Sequence, residues 1–215
     1  MTSRERREQE LLFVADDRDW EEMKRARRLT QQLNTADRSD FEKLRSIVNE
    51  LFGKSDETTF VNPPFYCDYG SNIEVGKNCF INYHCVILDN AKVVLGDNCL
   101  LGPNVSVYTA GHTLYPVARA LGYEYGIPVT IGDDVWFGGN TVICPGVHIG
   151  NCAVIGAGSV VTRDIPDWSL AMGNPCRVIR RITEEDRLCF FRKRRIDAEL
   201  AALLEQSAGD AEVER

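Results

Sequence analysis

His112 is the residue best placed to do chemistry. It stands in the stretch VYTAGHTLYP, residues 107–116. An imidazole titrates near neutral pH and can take the proton of a poor nucleophile such as a hydroxyl. A lone loop histidine is also an ordinary solvated polar residue. Glu124, in GYEYGIP, lies in the same stretch of chain. Its carboxylate can hold an imidazole in one tautomer, or stand as a solvated loop charge. Arg163 in VTRD, and Arg177 and Arg180 in CRVIRR, offer forked donors that suit phosphate. No activated Ser or Cys nucleophile is evident, so direct transfer is favoured over a covalent enzyme intermediate. His84 and His148, the other two histidines, fall at a turn and at an outward position. No two histidines are close in sequence and no CxxC occurs, so a zinc site is not expected.

These groups need a scaffold, and a repeat supplies it. Aliphatic or aromatic residues recur every six positions at Val75, Ile81 and Ile87. After a two-residue slip they recur at Leu95, Leu101 and Val107, then at Ile131, Phe137, Ile143, Ile149, Ile155 and Val161. Gly follows at 76, 96, 102, 132, 138, 150 and 156. Four positions after each apolar residue comes a small or β-branched one, among them Cys79, Cys85, Cys99, Thr141 and Ser159. This is the pattern of a hexapeptide β-helix, in which both classes point inward and stack from coil to coil. Gly relieves crowding at the turns and permits positive φ. Cysteine in the small slot acts as a small hydrophobe. The repeat is silent from 109 to 128, so His112 and Glu124 lie on an excursion from the column.

The chain has 215 residues, 44% apolar and 27% charged, with a net charge of -7. That suits a globular protein and argues against nucleic acid as the main partner. Its apolar runs are too short to span a membrane, and the charged start MTSRERREQELLF has no signal-peptide core. A cytoplasmic protein is expected. Residues 1–60 carry no hexads. They read as helices, one with Trp20, Met23, Arg27 and Thr30 on a face and Leu29 and Leu33 nearby, and one from Ser39 or Asp40 to Gly53. After Ile182 the chain reads as a C-terminal helix with a solvated basic run, FFRKRR, and a disordered tail at 207–215.

The segments FYCDYGSNIEVGKNCFINYHCVILDN, YTAGHTLYP, GIPVTIGDDVWFGGNTVICPGVHIG, VIGAGSVVTRDIP and GNPCRVIRRI resemble the maltose and galactoside O-acetyltransferases. The resemblance implies a left-handed parallel β-helix over 61–182, three hexads per coil, between a helical segment at 1–60 and the tail region at 183–215. It implies a homotrimer with sites between subunits, acetyl-CoA as donor and a sugar as acceptor. It makes His112 the catalytic base, with Asn82 of a neighbour facing it and binding substrate or the reacting carbonyl. It assigns Gly139, Ala157, Thr162, Arg163, Arg177 and Arg180 to the donor, and Asp68, Asp89 and Glu124 to the acceptor. Trp136 either lines the acyl pocket or packs outside the column. A serine or amino-sugar acetyltransferase and a non-catalytic scaffold are the other readings.

Overall fold

The computed structural model describes residues 1–204. The chain divides into two compact units, Met1–Arg180 and Arg181–Arg215.

In the first unit the hexads form a parallel β-helix with three faces. One face stacks the strands Phe60–Val61, Phe80–Ile81, Leu100–Leu101, Trp136–Phe137, Val154–Ile155 and Ser169–Met172. The second stacks Phe65–Cys67, Cys85–Leu88, Ser106–Tyr108, Val142–Ile143 and Val160–Val161. The third stacks Ile73–Val75, Val93–Leu95, Val129–Ile131 and His148–Ile149. Every residue of the aliphatic repeat is buried, and so are the small-slot residues, including Cys79, Cys85 and Cys99. Burial pushes the Cys85 thiol up to about 11, which suits a packing role over a reactive one.

Adjacent faces meet at corners, and the register says which residues share one. After the first face comes a corner holding Asn82, Gly102, Gly138 and Gly156. After the second comes a corner holding Asp68, Asp89, Thr109 and Arg163. After the third comes a corner holding Gly76, Gly96, Gly132 and Gly150.

At this last corner the glycines serve close approach. A Cβ on Gly96 would sit 2.2 Å from Asp133 Oδ1, the oxygen that accepts from Asp97 N at 2.7 Å. Asp97, Asn151 and Asp167 accept from Lys77 N, Asp133 N and Asn151 N in the same way. The positive φ expected of these glycines falls instead on Asn78, Asn98, Asp134 and Cys152. Asn and Asp tolerate that region because their short side chains bond locally.

The N-terminal segment contains α1 (Ser3–Glu8), α2 (Asp17–Thr35) and α3 (Phe41–Leu51). Asp16 caps α2 in a capping box with Asp19, and Asp40 caps α3. Leu29, Leu33, Leu44, Ile47, Val48 and Leu51 join the core of the β-helix. Asn34 pairs with the first strand of the second face, donating to Phe65 O at 3.0 Å and accepting from Phe65 N at 2.8 Å. The helices thus cover an open end of the column and satisfy part of its edge. The packed face of α2 is corrected: it is Asp19, Ala26, Leu29, Thr30 and Leu33, while Trp20 and Arg27 are exposed. The leucines decide the rotation because they remove more apolar area from water than the mixed Trp20/Arg27 stripe.

In the second unit the expected helix does not begin after Ile182. A 3-10 turn at Glu184–Asp186 is followed by a hairpin pairing Cys189–Phe190 with Arg194–Arg195, and residues 198–204 are helical. Aromatic residues favour strands, and four adjacent cations repel each other on a helix. Arg192 and Lys193 close the hairpin with φ of 56° and 65°. The tail expected to be disordered, 207–215, lies outside the described residues. Among the described residues no helix is long and apolar enough to cross a membrane.

Candidate active site

The site grows from the corner after the second face. Asp89 is 0% exposed there. Its Oδ1 accepts from Asp68 N at 3.0 Å and Tyr69 N at 2.9 Å, and its Oδ2 from Asn72 N at 3.3 Å. Burial pushes this carboxyl up to about 6, against the backbone bonds from Tyr69 and Asn72. The expected acceptor contact of Asp89 meets a carboxylate that is buried in the chain. Its oxygens are taken by the backbone of the preceding coil, and it shapes the Asp68–Asn72 corner. One coil further on Thr109 does a similar task, donating to Leu88 O at 2.7 Å and accepting from Ala91 N at 2.9 Å.

The chain leaves the column at this corner. Phe60, Phe80 and Leu100 align at steps of 20 residues, and Trp136 and Val154 at a step of 18. Leu100 to Trp136 takes 36, a full coil more than the register needs. The surplus forms the excursion. Its root is the antiparallel pair Ala110–Gly111 with Tyr125–Gly126, and its tip carries α4 (Pro116–Ala120). A Cβ on Gly111 would lie 2.3 Å from the Tyr125 ring, so the root closes only over glycine. The far strand is pinned to the N-terminal segment: Phe13 N donates to Glu124 O and Glu124 N to Phe13 O, each at 2.9 Å.

His112 follows that root and is exposed. Its Nδ1 is 3.1 Å from the carbonyl oxygen of Tyr123. A carbonyl only accepts, so Nδ1 carries a proton, and in the neutral ring Nε2 is the nitrogen left to accept one. The tautomer is thus set by a main-chain carbonyl beside Glu124, and the Glu124 carboxylate acts on the ring as a nearby charge. Burial raises the Glu124 carboxyl, the His112 charge opposes this, and Asp68 adds to it. Burial also raises Asp68, and Arg27 opposes it. Beside the histidine opens a mostly apolar hollow of about 540 Å³, lined by Leu12, Thr113, Tyr115, Val117, Leu121 and Tyr123.

Three further residues face this region, and of these Tyr69 and Arg7 did not stand out in the sequence. The Asn90 side chain lies beside the Glu124 carboxylate and favours its ionised form. Tyr69 is buried at the corner that Asp89 shapes. Arg7 lies with its guanidinium 4.6 Å from the Tyr69 ring centre. Arg7 belongs to a charged N-terminal run with no periodic signal, and only folding brings it here.

The remaining candidates lie elsewhere on the column. Asn82, Gly139 and Ala157 fall on the corner after the first face. Asn82 is half-buried and its Oδ1 accepts from Tyr83 N at 2.8 Å. Thr162 and Arg163 lie at the same corner of the column as Asp68, four coils on, and both are exposed. Arg177 and Arg180 are exposed on the strand Arg177–Arg181. Trp136 points outward, 53% exposed. Among the described residues no cluster of His, Cys, Asp or Glu could hold a metal ion.

Residues 128–163 match the family model described as bacterial transferase hexapeptide (six repeats), and residues 72–109 match hexapeptide repeat of succinyl-transferase. The chain is 42% identical to galactoside O-acetyltransferase of Escherichia coli (strain K12) over 81% of its length and 86% of the relative's. It belongs to the galactoside and maltose O-acetyltransferase family. A solved galactoside acetyltransferase in complex with coenzyme A superposes with a TM-score of 0.90 at 40% identity, over 92% of this chain and 100% of that one. A maltose O-acetyltransferase from Clostridium difficile 630 superposes with a TM-score of 0.84 at 45% identity, over 86% and 99%. As a member of this family the chain is an acyltransferase, and the excursion with His112 is part of a fold shared almost end to end.

Proposed function

We propose that this acetyltransferase acetylates a hydroxyl of a sugar by direct transfer from acetyl-CoA, with His112 as general base. The observation that carries the reading is the exposed His112 ring, whose Nδ1 donates to Tyr123 O at 3.1 Å and so leaves Nε2 to accept a proton. Nε2 takes the hydroxyl proton as the oxygen attacks the thioester carbon, and the imidazolium returns a proton to the departing thiolate. The donor supplies the activated acyl group. A relative's structure holds coenzyme A, and this chain has surfaces that fit it. The corner with Gly102, Gly138, Gly139 and Ala157 gives an extended arm a wall without large side chains, and a Cβ on Gly139 would come 3.1 Å from Pro103 O. Exposed Thr162, Arg163, Arg177 and Arg180 suit the arm and its phosphates.

Asn82 and His112 leave the column at different corners. For both to meet one substrate, His112 of one subunit must face Asn82 of another. That supports a homotrimer with sites between subunits. The Asp68 and Glu124 carboxylates suit paired sugar hydroxyls and oppose the carboxylate of serine.

A thiol-release assay over glucose, maltose, galactosides, serine and amino sugars tests the reading. Transfer to neutral sugars is expected, and His112→Ala should lower kcat by about 10²–10⁴-fold. A His112→Ala protein as fast as wild type would remove the base assignment. Refolding Asn82→Ala with His112→Ala subunits should restore part of the activity, because some mixed interfaces pair two intact halves. A mixture as inactive as its parents would rule out the shared site.

A further inference from the structure

We propose that Arg7 and Asp19 form a positioning pair for the acceptor side of this site, through which the N-terminal segment holds Tyr69, Asn90 and Glu124 against His112. Arg7 is only 8% exposed and Asp19 2%, and the two form a buried ion pair. The guanidinium lies 4.6 Å from the Tyr69 ring centre and 5.4 Å from that of Phe13. Its Nη1 reaches Asn90 O at 3.5 Å.

Each of these neighbours leads directly to the catalytic corner. Phe13 exchanges both main-chain bonds with Glu124. The Asn90 side chain lies close to the Glu124 carboxylate and favours its ionised form. Tyr69 follows Asp68 at the corner that Asp89 organises. Tyr69 Oη, Asn90 Oδ1 and Arg7 Nε are buried without a hydrogen-bond partner in the protein, which marks this spot as polar beyond what folding consumes.

A buried ion pair seldom adds net stability, because desolvation offsets the attraction. An apolar pair would pack this spot as well. What the pair adds is charge close to Glu124, together with a fixed seat for α1. The groups that face Glu124 are His112, Asp68, Arg7 and Asn90. Arg7 is the cation in that set that does not titrate near neutral pH.

The inference rests on the His112 reading, and its test separates the two. Arg7→Met and Asp19→Asn are compared in pH profiles of kcat/KM, with KM for sugar and for acetyl-CoA measured separately. Removing the Arg7 cation takes away a charge that favours the ionised Glu124 carboxyl, so the acid limb should move to higher pH by about half a unit. Removing the Asp19 anion leaves Arg7 uncompensated, so the limb should move to lower pH. Arg7→Lys should return it toward wild type. Sugar KM should rise about tenfold in Arg7→Met, with acetyl-CoA KM unchanged. Shifts of the same sign in both variants, or equal changes in both KM values, would reduce the pair to a structural role. If Arg7→Met fails to fold, the Asp19→Asn shift alone decides, and an unmoved or raised limb overturns the proposal. A wild type that acetylates no sugar would instead defeat the functional reading.

Discussion

Asp89→Asn separates a structural carboxylate from an acceptor-binding one. Asp89 is 0% exposed and accepts three backbone N–H groups. Its carboxyl rises from 3.8 to about 6, chiefly through burial. The folded protein therefore holds this proton more tightly than the unfolded chain. Stability from the protonated form is fully present below about pH 4 and lost as pH rises through about 6. At 1.36 kcal/mol per unit, the shift corresponds to about 3 kcal/mol lost between pH 4 and pH 7. Asparagine keeps an oxygen for Asp68 N and Tyr69 N but turns a donor toward Asn72 N, which costs about 1–3 kcal/mol. It has no proton to release. The substitution should therefore destabilise the protein clearly at pH 4.5 and much less at pH 7. Denaturant unfolding of both proteins at the two pH values gives the difference, in which the other titrating groups cancel. A destabilisation independent of pH would refute the buried-charge reasoning. Unchanged stability with a large rise in sugar KM would return Asp89 to the acceptor.

Gly96→Ala places a methyl 2.2 Å from Asp133 Oδ1 inside the corner ladder, and should cost about 2 kcal/mol or more in denaturant unfolding. A neutral result would mean that the coils separate more easily than their hydrogen bonds imply. Arg163→Ala and Arg177→Ala should each raise the KM for acetyl-CoA about tenfold at low salt, with sugar KM unchanged. The effect should shrink at high ionic strength, and an effect on the sugar instead would move these arginines out of the donor site.

The column and the position of its interruption were legible in the sequence. An inward residue every six positions is a local rule that each coil repeats, so Val75 through Val161 could be placed before any contact was known. The place of His112 on the excursion was legible as well, because it stands where that rule lapses. The basic hairpin at Cys189–Arg195 was not, since helical spacing and strand preference compete over so short a stretch.

Tertiary structure decided what periodicity cannot carry. Asp68 and Asp89 look alike as acidic turn residues in the sequence. Only the stacking of one coil on the next makes Asp89 the acceptor of its neighbour's amides and leaves Asp68 partly open. Tyr123 was featureless until its carbonyl met the His112 ring. Arg7 reaches the same corner from the start of the chain, bonding Asn90 across 83 positions. A repeat encodes contacts between neighbouring coils. Contacts between an irregular strap, an excursion and a corner depend on where the whole fold brings them, and these contacts position His112.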